Sequence, residues 1–275
     1  MIDFQVDGSR CISCGLCVDD CPARIIFRDE GGIPYVPPDK EGGCYRCQHC
    51  LAVCPTAAVS VVGVLPDRCV PIGGGFPPPE RVETLIRGRR SVRRYRPENL
   101  PAELLDRLLT VAWQAPTGVN GRDVLFTVVD DRDQLARLRS EVMEKIQRRF
   151  DEGGVPDSFS FFSSFVKLWY EKGVDILFRD APHLLIASAP RSAPSPEPDC
   201  LIALSYFELY AQACGVGTVW NGLAKWGMFD LTDGMRHRLG IPDDHLIGYV
   251  MSFGYPAVTY HRGVDHGAPR VNRVR

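Results

Sequence analysis

Eight of the eleven cysteines in this 275-residue chain lie between Cys11 and Cys54. They form two identical runs, Cys11, Cys14, Cys17, Cys21-Pro22 and Cys44, Cys47, Cys50, Cys54-Pro55, each of the form C-x2-C-x2-C-x3-C-P. Three thiolates at this spacing hold one face of an iron–sulfur cube, and in two-cluster proteins the fourth cysteine of each run ligates the other cube. On that rule one [4Fe–4S] centre takes Cys11, Cys14, Cys17 and Cys54, and the other takes Cys44, Cys47, Cys50 and Cys21. Disulfides are disfavoured because nothing marks the chain as secreted. Zinc sites usually show pairs of cysteines separated by a longer loop rather than triplets. Ile12, Leu16, Ile25, Ile26, Leu51, Val53 and Val59 are apolar residues available to pack around the cubes. His49 reads as a surface side chain beside a cluster. Cys69, Cys200 and Cys214 lack partners at ligand spacing and read as buried or linker cysteines.

Iron–sulfur centres move single electrons, so work on an organic substrate calls for a second centre. Arg89-Arg90-Ser91-Val92-Arg93 places adjacent guanidinium groups and a hydroxyl together, which suits a phosphate because Arg binds its oxygens bidentately. By itself such a run is more often a solvated face. Three further segments follow it: Ala115-Pro116-Thr117-Gly118-Val119-Asn120, then Gly215-Val216-Gly217-Thr218-Val219-Trp220-Asn221-Gly222, then Gly254-Tyr255-Pro256 with Arg262 just after.

The elements that must carry these residues divide at 63–80, a segment with four glycines and five prolines that reads as a linker, its Pro77-Pro78-Pro79 end extended and stiff. Residues 1–62 carry five basic and eight acidic side chains, net −3, and the remainder carries net +1. Beyond the linker, Val82, Leu85 and Ile86 predict a helix ending near Gly88. Leu104, Leu105, Leu108, Leu109 and Ala112 predict a second, opened by Pro101. Strands are expected at 124–129, 183–187 and 246–253, an amphipathic helix at 130–150, and a helix apolar nearly all round at 199–213, fit for a core or an interface. Long helices interspersed with strands predict an α+β layered fold. Residues 158–170 concentrate Phe159, Phe161, Phe162, Phe165, Trp169 and Tyr170, which read either as core or as a flap hinged at Gly153-Gly154.

Charge and hydropathy exclude other classes. Thirty-two basic against thirty-four acidic residues give a net charge of −2, unlike a general nucleic-acid binder. No apolar run reaches membrane-spanning length, the best being broken by Glu208. No secretory signal is visible, so a cytoplasmic protein is expected. No Gly-x-Gly-x-x-Gly follows a strand, so a Rossmann site is not expected.

The ordered set of Arg-x-Ser, A-P-T-x-x-N, G-x-G-T-x-W-x-G and G-Y-P resembles the FMN-dependent nitroreductase superfamily over roughly 81–262. With the leading cysteine runs, the chain resembles its ferredoxin-fused branch. The resemblance implies a ferredoxin-like 2×[4Fe–4S] domain at 1–62, the linker at 63–80, and an FMN-binding nitroreductase-like domain at 81–275. It implies that Arg89 and Ser91, with Arg90 beside them, hold the FMN phosphate, that Arg93 lies near flavin N1 and O2, and that Asn120 bonds the ring edge. Gly215, Gly217 and Thr218 would bring main chain to the ring, and Arg262 would reach the phosphate. Trp220 reads equally as core or cofactor contact. Where relatives carry Gln-Pro-Trp this chain has Arg122-Asp123-Val124, and Arg122 would favour an anionic substrate. Also implied are a homodimer, an external donor (a ferredoxin-like protein or NAD(P)H), and a nitroaromatic, quinone or flavin as the small acceptor, with electrons relayed from clusters to FMN. A non-enzymatic electron carrier or redox sensor is the alternative.

Overall fold

The computed structural model describes residues 2–274. The chain divides into two compact units, Met1–Phe76 with Val119–Gly121, and Pro77–Gly118 with Arg122–Arg275.

The first unit is built twice over. Its elements are β1 (Gln5–Val6), α1 (Leu16–Asp19), β2 (Phe27–Arg28), β3 (Pro34–Tyr35), α2 (His49–Ala52) and β4 (Val59–Ser60). β1 pairs antiparallel with β4, and β2 with β3. The two cysteine runs are offset by 33 residues (Cys11 to Cys44), and the backbone repeats at the same offset. Left-handed residues recur at Ser13 and Arg46, at Gly15 and Gln48, and at Arg24 and Ala57. Such alternation turns successive N–H groups toward an anion. Each short helix is closed alike, Cys21 N–H donating to Val18 O and Cys54 N–H to Leu51 O. Two small apolar clusters fill the unit, one of Cys17, Leu51, Val59 and Val61 and one of Ile2, Ile25 and Ile26.

The Pro/Gly segment carries only a 3-10 turn at Pro66–Arg68 before α3 (Pro79–Gly88). Pro79 therefore opens a helix, where its missing N–H costs nothing, instead of ending the extended run expected there. α4 (Ala102–Ala112) follows Pro101, which caps it from outside. Then come β5 (Leu125–Val129), α5 (Arg132–Asp151), α6 (Phe162–Lys172), β6 (His183–Pro190), α7 (Pro196–Ala213), β7 (Gly217–Trp220), α8 (Gly222–Phe229), α9 (Met235–Arg238) and β8 (His245–Gly254). α5 starts where Asp131 accepts from the N–H groups of Asp133 and Gln134, which satisfies donors the first turn would leave orphaned.

The sheet order is β5-β6-β8-β7, every pair antiparallel. Helices cover both faces. On one, Leu184, Ile186 and Val250 meet Leu138 and Ile146 of α5, Phe162 of α6 and Met228 of α8. On the other, Leu185, Met251 and Phe253 meet Leu108 of α4 and Leu204 and Phe207 of α7. Burial on both faces is why β6 reads as an unbroken apolar run rather than an alternation. The expected α+β layered class is the observed one.

Candidate functional site

Two cavities in the first unit are lined by cysteines in the crossed sets that the spacing predicts. Cys11, Cys14, Cys17 and Cys54 line one, with Gly15, Pro34, Thr56 and Val59. Cys21, Cys44, Cys47 and Cys50 line the other, with Ile25, Ile26 and Val36. Ile12 and Leu16 also border the first cavity but stay 63% and 43% exposed, so they shield it less than expected. Among the described residues no three His, Cys, Asp or Glu side chains converge on a single-ion site. The cysteines of each set line one shared cavity, as the four ligands of an iron–sulfur cube must.

Electrostatics divide the thiols in the same way. Burial raises the Cys17 thiol, and charges from Cys54, Cys14 and Cys11 add to it. Burial pushes the Cys50 thiol up to about 12, with Cys47, Cys44 and Cys21 adding. Iron binding must displace those protons. Burial acts on Cys54 too but is outweighed by N–H donors, among them Ala58 N–H at 3.2 Å from Sγ, so its thiol is lowered. Arg46 N–H donates to Cys44 Sγ at 3.3 Å. Hydrogen bonds to the sulfurs are a means by which proteins set cluster potentials. His49 Nδ1 lies 3.2 Å from Asp20 Oδ2, both half exposed, a surface pair beside the second cavity. Cys200 is fully buried, while Cys69 and Cys214 are half-buried.

In the second unit the structure gathers three of the motifs into one knot. Val92 N–H donates to Thr218 O at 2.8 Å, and Ser91 bridges Thr218 in parallel, so the 89–93 segment runs along the free edge of β7. Tyr95 bridges Pro256, and its buried hydroxyl lies 2.7 Å from Val92 O and 3.2 Å from Ser252 O. Burial holds the Tyr95 phenol well above its ordinary pKa, Tyr260 adds to the rise, and the Arg93 charge opposes it.

The centre of the knot is Glu208 on α7. Its Oε1 accepts from Arg89 Nη1 at 3.1 Å and from Thr218 Oγ1 at 3.2 Å, and its Oε2 from Trp220 Nε1 at 3.0 Å. In the sequence Glu208 stands out only as the interruption of an apolar run. Its signal was the presence of a carboxylate in a helix otherwise fit for burial, since such a charge must find partners.

The other expected residues fall as follows. Gly215 is exposed with φ 74, just past the end of α7. Gly217 and Thr218 lie in strand β7, paired with Gly254 and Phe253 of β8. A Cβ on Gly217 would lie 2.5 Å from Val92 Cγ2, so this glycine admits the 89–93 segment. Trp220 is half-buried and bonded to Glu208. Arg90 is half-buried with no ion-pair partner among the described residues, and Arg93 is exposed, its Nη1 3.4 Å from Ser91 O. Arg262 is exposed on a cleft of about 820 Å³ that it shares with Thr84, Arg87 and Gly88 at the end of α3. Asn120 ends a 3-10 turn at φ 57, in the three-residue segment grouped with the first unit, and is not among the residues around Glu208. Arg122 turns back on α4, donating from Nη1 to the carbonyls of Trp113 at 2.6 Å and Ala115 at 3.1 Å. That orientation closes a helix end. The aromatic segment is mostly core: Phe162 and Val166 are buried and Phe159, Phe165 and Trp169 pack against them, while Phe161 and Tyr170 stay exposed.

The donor set fits an anion at the head of the 89–93 segment. Half-buried Arg90 has no acid partner among the described residues, Ser91 adds a hydroxyl, and Arg89 commits one nitrogen to Glu208.

A model described as the nitroreductase family matches residues 86–255. The chain belongs to the nitroreductase family. A 4Fe-4S dicluster domain model matches residues 10–58. A protein of Methanothermobacter thermautotrophicus, provisionally named NADH dehydrogenase/NAD(P)H nitroreductase, is 29% identical over 62% of this chain and 75% of its own length. An iodotyrosine deiodinase of Thermotoga neapolitana is 30% identical over 49% of this chain and 70% of its own. A ferredoxin of Methanocaldococcus jannaschii is 36% identical over 24% of this chain and 87% of its own. Among solved structures, an FMN-bound nitroreductase from Bacteroides fragilis aligns at TM-score 0.56 and 21% identity, over 70% of this chain and 98% of that one. This last likeness shows the nitroreductase fold.

Proposed function

We propose that this chain is an FMN-dependent oxidoreductase in which two [4Fe–4S] clusters deliver electrons for the reduction of a small acceptor. The observation that carries this reading is the pair of four-cysteine cavities, sorted into crossed sets, in one chain with a nitroreductase domain. Cys11, Cys14, Cys17 and Cys54 would hold one cluster, and Cys44, Cys47, Cys50 and Cys21 the other. Arg89, Arg90 and Ser91 would hold the FMN phosphate, with Arg262 approaching from the C-terminal segment and Arg93 offering a cation to the ring. FMN, when bound, supplies the conversion between single-electron and two-electron chemistry that the clusters lack. The protein's part is to bind and orient, and no side chain is required as nucleophile. Donors of two kinds suit this arrangement, a ferredoxin-like protein or NAD(P)H, the latter named for the Methanothermobacter relative. A nitroaromatic, a quinone or free flavin suits as acceptor. A second copy of the chain is expected to complete the site.

Purification without oxygen, with iron, sulfide and FMN quantified per chain, tests the cofactors: about eight irons and one flavin are expected. Anaerobic stopped-flow mixing of the reduced protein with nitroaromatics and quinones then tests the chemistry. Turnover with a small acceptor supports the enzyme. Reoxidation by protein partners alone would make the chain an electron carrier, and a colourless, metal-free preparation would end the reading.

A further inference from the structure

Glu208 is 7% exposed on a helix whose neighbouring positions Ala203, Leu204, Phe207 and Ala211 are core. A buried carboxylate is tolerated only when paired and fully hydrogen-bonded. Here its three donors come from two segments far apart in the chain. Thr218 and Trp220 hold it from β7, and Arg89 reaches it from the segment that carries the anion-binding groups. The same strand grips that segment a second time, because Thr218 O accepts from Val92 N–H. Arg89 and Val92 are thus fixed, and Arg90 and Ser91 lie between them.

Arg89 uses Nη1 on Glu208, and its side chain remains 31% exposed. A guanidinium carries further N–H donors in a rigid plane. Fixing one edge of that plane aims the other. We propose that Glu208 is the positioning residue of the phosphate end of the flavin site: through its ion pair with Arg89 it holds the guanidinium plane that receives the phosphate, while Thr218 and Trp220 hold Glu208. This rests on the reading above that Arg89 faces the FMN phosphate. Glu208 touches neither phosphate nor ring in this scheme and acts through Arg89.

The test compares FMN with riboflavin, which lacks the phosphate, on the full chain freed of flavin and followed by flavin fluorescence. The wild-type protein is expected to bind FMN more tightly than riboflavin. Glu208→Gln is expected to weaken FMN about tenfold, the scale of one lost charge-assisted hydrogen bond, and to leave riboflavin within about twofold. Glu208→Asp, which keeps the charge, is expected to recover part of the preference. In Arg89→Gln the further change Glu208→Gln is expected to add less than about twofold to the FMN constant, because its route is already cut. If Glu208→Gln alone does not fold, Glu208→Asp carries the test: it keeps the buried charge paired while shifting the carboxylate, and it is expected to weaken FMN while leaving riboflavin within about twofold. Equal weakening of both flavins by Glu208→Gln, or an additive double variant, would overturn the inference and leave the flavin reading standing. Wild-type protein that binds neither flavin would remove the site itself and the inference with it.

Discussion

Each thiolate in the first unit has a definite allegiance, and Cys21 is the informative one. It belongs by sequence to the first run but lines the cavity of Cys44, Cys47 and Cys50, while Cys54 belongs to the second run and lines the cavity of the first. Substitution by Ser therefore separates run from cluster. Cys21→Ser and Cys50→Ser are expected to perturb the same cluster, leaving the same residual signal in low-temperature EPR of the reduced protein. Cys54→Ser and Cys17→Ser are expected to leave the other. In each variant about half of the roughly eight irons is at risk. If Cys21→Ser matched Cys17→Ser instead, the crossed assignment would be wrong. Gly15 adds a constraint of its own kind: it sits at φ 81 within the first ligand loop, and the Arg28 guanidinium occupies the space a Cβ would need. Its counterpart Gln48 adopts the left-handed region at φ 61 with a side chain, so the repeat in backbone is not a repeat in surroundings.

Strand β7 and the 89–93 segment depend on each other at one close contact. Gly217→Ala would set a methyl 2.5–2.9 Å from three atoms of Val92, and overpacking of this sort costs about 1–3 kcal/mol. Denaturant unfolding should show that loss, and Val92→Ala in the same chain should return part of it, since it deletes two of the three colliding atoms. Purely additive losses would mean that the contact does not couple strand to segment. Legibility in the sequence follows the range of the forces involved. α5, α7, β6 and β8 announce themselves through periodicity or continuous apolarity, both local properties. β7 does not, because four residues opening on a glycine look like a turn until β8 supplies hydrogen bonds from more than thirty positions away. The cysteine sets were legible because metal spacing is local, whereas the bond from Arg89 to Glu208 spans 119 positions and leaves no local trace. Arg122 shows the same limit from the other side: the sequence shows its charge, and only the fold shows its Nη1 donating to carbonyls at the end of α4.

Association is the property of the whole molecule that the surface of the second unit bears on. Ile86 on α3 and Tyr206 on α7 are 54% and 42% exposed, and beside them Leu85, Tyr206, Leu209, Tyr210 and Ala213 line an apolar hollow. The two helices lie against each other, and Leu85 of α3 shares the hollow with the α7 side chains, so exposed apolar residues from both helices belong to one region of the surface. Contiguous patches of this kind mark interaction sites. The same α7 carries Glu208 on its inner side, so contact made at its outer side would also brace the anion-binding segment. Net charge opposes association little, at −2 per chain. The wild-type protein is accordingly expected to run in light scattering at twice the 30.6 kDa chain mass. Ile86→Glu with Tyr206→Glu places two desolvated carboxylates in such an interface. That change is expected to give monomers and at least a tenfold loss of bound FMN, since an unpaired buried charge costs several kcal/mol. A double variant that remains dimeric and yellow would show that this helical face is not where the copies meet.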